Sequence, residues 1–388
     1  MMLNKKELIV LLYLFFLAGI SGVIAQNKQI ALVDSMIVQA EKSRDHDMEK
    51  SWAISQKALS LSIGLKYNRG IAFSYKNIAT ISMFRSDFDF AIATYHKAIG
   101  LFNIEHFMKG VSDCSNNIAL SYSMNSKFDS ALLYYKKTLQ IEEWIDDKVA
   151  IAQTYENIGV VYYYRGNSKL ALSQFLKAAI IFYKIGDYSL LNRTIVSISA
   201  VISDNGYHEL SVKLHKVALF MAIYFGDLRI MSTCYNNIGF SYSNLGEYNL
   251  ALEYLNYSLE IKERLEDKEG MMITLGVVGS IYRQQERYDL SNQMYTNIIK
   301  ISEEVDDKRQ TAIGLTYIGE NLRAQGVLDK AINYYLHSLE ILMPLRAMNE
   351  IRDNYLYLAI ANYKLGFHEK AKFNYHQYKA YSDSTSLN

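Results

Sequence analysis

One block of sequence returns every 40 residues and leaves little freedom in how the chain can fold. Asn77-Ile78-Ala79, Asn117-Ile118-Ala119, Asn157-Ile158-Gly159 and Asn237-Ile238-Gly239 keep this step. Val277-Val278-Gly279, Tyr317-Ile318-Gly319 and Tyr357-Leu358-Ala359 continue it, and Ser197-Ile198-Ser199 is the weakest copy. Ala91, Ala131, Ala171, Ser211, Ala251, Ser291, Ala331 and Ala371 form a parallel series of small residues. A bulkier series follows at Tyr95, Tyr135, Phe175, His215, Leu255, Tyr295, Tyr335 and Tyr375. A period of this length denotes stacked helix pairs, each burying its apolar face on its neighbours.

The clearest copy runs from Cys234 to Gly270. Tyr235, Ile238, Gly239 and Tyr242 share one helical face; Tyr248, Ala251, Leu252, Leu255 and Leu259 share another. Asn244-Leu245-Gly246-Glu247 breaks the pattern between them, and Gly246 suits a tight turn. The spacing predicts helices over 228–244 and 248–265. Gly166, Gly206, Gly326 and Gly366 mark the same turn in other copies.

The series Tyr235, Ile238, Gly239, Tyr242, Tyr248, Ala251, Leu255 resembles the tetratricopeptide signature. The usual unit is about 34 residues; the longer unit here is similar to the variant in kinesin light chains, LGN-type adaptors and Rap-type bacterial regulators. The resemblance covers about residues 31–388. It implies an all-α fold, a right-handed α-solenoid of about nine helix hairpins with the first helices on its concave side. The units fall near 31–70, 71–110, 111–150, 151–190, 191–230, 231–270, 271–310, 311–350 and 351–388. The first is worn, with its first helix expected at Ala31–Ser43 and Ser51–Leu65 lying within its second, after a polar lead at 26–30. The fifth is irregular, with Ser199 in a small slot and His208 and His215 in aromatic slots. The polar segment Ser382–Asn388 ends the last.

The amino end has a different character. Lys5 and Lys6 precede an uncharged run, Leu8 to Ile20, and small residues lead up to Ala25. That is the form of a secretory signal peptide, residues 1–25, cut after Ala25. The expectation is an exported, periplasmic protein; the alternative is a membrane anchor at 8–25, at the short end of a span. The whole chain carries 41 basic and 40 acidic residues. Such a balance lacks the basic excess of a nucleic-acid binder, so no nucleic-acid partner is expected. Cys114 and Cys234 occupy one slot three repeats apart, too far for a disulfide, and are expected to be reduced core fillers. Asp147, Asp187, Asp227, Asp267 and Asp307 are expected to cap first helices; Asp89, Asp129, Glu209, Asp289, Asp329 and Glu369 are expected to do the same for second helices. Pro344 falls near the end of a second helix.

No phosphate loop, nucleophile elbow or zinc motif occurs, so neither an enzyme nor a cofactor or metal site is expected. His208 and His215 lack the further ligands that a zinc site needs. The resemblance implies that Asn77, Asn117, Asn157 and Asn237 line a groove and hold the backbone of a bound peptide. An Asn side chain has one acceptor and two donors for that task. Lys76, Asn116, Tyr163, Tyr164, Asn236, Arg283 and Arg323 fall in inward slots and would set selectivity. The competing reading has the asparagines bonding the neighbouring repeat. The function expected is a non-enzymatic exported scaffold for a peptide or protein segment. The alternative is the input module of a bacterial signalling system, acting through a partner kinase or regulator. A third reading is self-assembly through the end repeats.

Overall fold

The structure is a computed structural model that describes residues 26–44 and 46–386. The leader expected at 1–25 lies outside the described residues. Among the described residues no helix is long and apolar enough to cross a membrane. The fold is an all-α repeat solenoid. The chain divides into two compact units, Met1–Thr194 and Ile195–Asn388. The division falls inside the irregular fifth copy of the repeat.

The first unit contains α1 (residues 26–43), α2 (Met48–Gly64), α3 (Asn68–Phe84), α4 (Phe88–Ile104), α5 (Met108–Met124), α6 (Phe128–Trp144), α7 (Lys148–Tyr164) and α8 (Ser168–Ile185). Helix α9 (Tyr188–Asp204) carries the division. The second unit continues with α10 (His208–Phe225), α11 (Leu228–Asn244), α12 (Tyr248–Arg264), α13 (Lys268–Gln284) and α14 (Tyr288–Glu304). It ends with α15 (Lys308–Ala324), α16 (Leu328–Leu345), α17 (Met348–Lys364) and α18 (His368–Ser386). The hairpin read from Cys234 to Gly270 is thus α11 and α12. Two boundaries differ from expectation. The polar lead 26–30 is already helical, since its Gln and Lys residues are good helix formers. Ser382–Ser386 likewise continues α18 rather than leaving it.

The helices end alike. A residue in the left-handed region recurs every 20 residues, from Lys66 and Ser86 to Gly366. The glycines at 166, 206, 246, 326 and 366 fill it without strain, whereas Ser86, Ser126 and Glu286 occupy the same slot with a side chain. Asp147, Asp187, Asp227, Asp267 and Asp307 each accept a hydrogen bond from the backbone N–H three residues on. The second-helix carboxylates are a correction. Asp89, Asp129, Glu209, Asp289 and Glu369 lie inside the first turn, as does Asp329, so they face the dipole without capping. The side chains that cap second helices are Asp47, Asp87 and Asn167, at the boundary itself.

Within each unit the bulky second-helix series fills the space beside the small first-helix series. Tyr95, Tyr135 and Phe175 are buried in the first unit; His215, Leu255, Tyr295 and Tyr335 are buried in the second. A Cβ on Gly239 would come within 2.6 Å of Leu255 Cγ and 3.0 Å of the Ala251 carbonyl oxygen. That approach explains the glycine in this slot. Tyr375, in the last hairpin, is exposed. Cys114 and Cys234 are free, buried thiols, each pushed up to about 12 by burial. Pro344 sits in the last turn of α16, ahead of Arg346 in the left-handed region.

Candidate functional site: a polar cavity on the first helices

Three successive first helices of the first unit, α3, α5 and α7, meet around a polar cavity of about 200 Å³. Lys76 lines it from α3, Lys109, Asp113, Asn116 and Asn117 from α5, and Gln153 and Thr154 from α7. Glu142 reaches it from α6. Three of the residues expected in a groove, Lys76, Asn116 and Asn117, are therefore brought together. Residues one helical turn apart fall on one helix face, so Lys109, Asp113 and the Asn pair point the same way.

The charges interlock. Lys76 lies 3.4 Å from Glu41 and 3.9 Å from Asp113. Lys109 pairs with Asp147 and lies 3.7 Å from Asp113. Desolvation raises the Asp147 carboxyl, but the Lys109 ammonium and the N–H of Ala150 outweigh it and hold it low. Glu142 is only 3% exposed. Its Oε1 accepts hydrogen bonds from Ser112 Oγ at 3.0 Å and Thr154 Oγ1 at 3.1 Å. Its buried Oε2 has no hydrogen-bond partner. Burial pushes the carboxyl up to about 7 against those two hydroxyls.

The asparagine row largely ties helix to helix. Asn77 is 4% exposed and donates to the Ile37 carbonyl at 3.2 Å. A sealed side chain cannot clamp a peptide, so Asn77 leaves the candidate set. Asn157 donates to Asn116 Oδ1 at 3.1 Å. Asn237 Nδ2 lies 3.2 Å from His215 Nε2. Asn236 is also buried, donating to Asn237 and accepting from Thr274 Oγ1. It leaves the set for the same reason. Asn116, Asn117, Asn157 and Asn237 keep part of their surface exposed.

The remaining candidates are dispersed. Tyr163 and Tyr164 pack ring to ring at the end of α7, with Tyr164 67% exposed. In the second unit the Arg283 guanidinium lies over Tyr317, which stacks on Tyr295. Arg323 forms two hydrogen bonds with Glu320, which also accepts from Tyr335 at 2.6 Å. This pairing holds Arg323 against its own helix. His215 is buried beside Ser211, and burial lowers its pKa to about 4, so its ring is neutral. Among the described residues no group of three or more His, Cys, Asp or Glu is placed to hold a metal.

Sequence reasoning passed over Glu142, Ser112 and Thr154. The signal was the 40-residue register itself: the Glu142 slot holds Ser62, Phe102, Phe182, Ala222, Ser302 and Leu342 in other copies. Only Glu142 and Lys262 place a charge there, and both are buried.

Stacked helix hairpins with a polar first-helix face define a repeat scaffold. Residues 229–304 and 270–343 match the tetratricopeptide repeat family, and the chain resembles Rap-type tetratricopeptide arrays. No curated protein matches the sequence. Among solved structures, the apo form of RapI is 16% identical, with a TM-score of 0.60 over 92% of this chain and 99% of that one. A Rap protein complexed with competence and sporulation factor is also 16% identical, with a TM-score of 0.57 over 92% and 99%. The Rap conjugation gene regulator of plasmid pLS20, in complex with the Phr* peptide, is 15% identical, with a TM-score of 0.57 over 91% and 97%. At these identities the likeness is one of fold.

Proposed function

We propose that this protein is a non-enzymatic, exported scaffold that holds an extended peptide or protein segment along the first helices of its amino-terminal unit. The observation that carries the reading is the polar cavity shared by α3, α5 and α7. A similar fold complexed with the Phr* peptide, and another complexed with competence and sporulation factor, support it. Asn116, Asn117 and Asn157 supply paired donors and acceptors along that face, and Lys76 lines the cavity with Asn116 and Asn117. The test is retention of extended peptides from a displayed library by the full chain. Binding should weaken about 10-fold in the Asn117→Ala, Asn157→Ala double variant. Absence of any retained peptide, or unchanged affinity in the variant, would remove the reading. Export rests on the basic, apolar and small-residue order of residues 5–25. Mass spectrometry of the cell-derived protein should find Gln26 as its first residue; an intact leader sinks cleavage.

A further inference from the structure

We infer that the α3–α5–α7 cavity receives a cationic side chain, an ammonium or guanidinium group, with Glu142 and Asp113 as its counter-charges. The inference deepens the groove reading and rests on it for the segment that delivers the cation.

Two independent observations meet here. First, the cavity is bounded by an uneven set of charges. Lys76 and Lys109 line it with Asp113 and Glu142, and the same lysines also lean on Glu41 and Asp147. Four carboxyls thus surround two ammonium groups. With Glu142 protonated, the carboxylates still outnumber the lysines. Second, Glu142 Oε2 has no hydrogen-bond partner inside the protein. A buried carboxylate oxygen left bare carries a desolvation cost that a donor from a ligand would offset. The two hydroxyls that hold Oε1 keep the carboxyl fixed, so its free edge is preorganised. Guanidinium fits best, because its planar fork of N–H groups can meet the Glu142 edge and Asp113 together.

Lys109 is the internal competitor. Its ammonium is tied to Asp147 and Asp113 and sits on the same cavity. Removing it takes away a competing cation and leaves the two hydroxyl contacts of Glu142 in place.

The test titrates N-acetyl-argininamide and its neutral isostere N-acetyl-citrullinamide against the full chain by calorimetry, up to millimolar concentration. The arginine compound should bind at least about 10-fold more tightly. Glu142→Gln should erase that preference, Asp113→Asn should reduce it, and Lys109→Gln should strengthen it. Because Asp113 is partly exposed, its variant keeps the test open if the Glu142 variant fails to fold. Equal binding of the two compounds overturns the inference, and so does failure of both to bind. An arginine preference that survives both carboxyl variants overturns it too. The displayed library separates the two readings. Retained peptides without Lys or Arg enrichment leave the groove standing and remove the cation. An arginine preference without any retained peptide does the reverse.

Discussion

The amino-terminal unit buries a carboxyl in the slot where the carboxy-terminal unit buries an ammonium. Glu142 is held by Ser112 and Thr154. Lys262, at the same register, is 5% exposed. It donates to the Gly270 carbonyl at 2.9 Å and to Thr274 Oγ1 at 2.7 Å. Thr274 stands where Thr154 stands in the other unit, and its hydroxyl donates in turn to Asn236 Oδ1 or the Gly270 carbonyl. A third version of the slot is apolar: Phe102 packs in one cluster with Ala72 and Cys114. The facing residues therefore change with the occupant, from Ala and Cys around Phe to Ser and Thr around a charge. The slot is tolerant of chemistry only where hydroxyls answer it. Lys262 has two of its three N–H donors bonded within the protein, whereas Glu142 keeps an oxygen bare. That difference leaves the Glu142 version of the slot, rather than the Lys262 version, with an acceptor to offer a ligand.

The comparison can be broken most sharply by placing a charge in the apolar version. Phe102→Glu meets no hydroxyl and leaves a cavity, so a loss of about 4 kcal/mol or more in denaturant unfolding is expected. A loss under about 1 kcal/mol would show that hydroxyl partners are irrelevant. Next in size is Thr274→Val, which strips Lys262 and Asn236 of a shared partner. A cost of about 2 kcal/mol is expected, and a neutral result would detach Thr274 from the ammonium.

Glu142→Gln should act through pH. The carboxyl of Glu142 is raised on folding, so the folded state binds the proton more tightly than the unfolded chain does. Its stabilising contribution is complete below the ordinary carboxyl range and is lost as pH climbs to about 7. The Gln variant should therefore gain on the order of 1–2 kcal/mol over the parent at pH 8 and lose that advantage near pH 4. A pH-independent difference in thermal unfolding would contradict the raised carboxyl. The smallest effect belongs to Lys262→Met. Burial lowers the Lys262 ammonium's pKa, so the charge is disfavoured at neutral pH and its cost fades only in the alkaline range. A gain of about 1 kcal/mol at pH 7 is expected, shrinking as pH rises. A clear loss at pH 7 would mean that the hydrogen bonds outweigh the buried charge.

The fold was written plainly in the sequence, because a small residue facing a large one repeats without a gap. Gly239 opposite Leu255 is legible from spacing alone, and so are the Asp caps of the first helices. The site was only partly legible. Lys76, Asn116 and Asn117 were read as inward, and they do share the cavity. Asn77 and Asn157 follow the same pattern, yet one is sealed against Ile37 and the other is half-buried against Asn116. Periodicity assigns a side chain to a face; it does not say whether the next helix already occupies its hydrogen bonds. Glu142 was missed because an isolated Glu on a helix reads as a solvated residue until its register with Phe102 and Leu342 is compared.

The left-handed residue that closes a helix every 20 residues has one more consequence. Since each bend is made the same way, the chain can be shortened or lengthened by whole units without inventing a new connection. Excising residues 271–310 would join two bends of identical hand and leave α12 leading into α15. Evolution, or a designer, can thus vary the number of rungs independently of what each rung recognises.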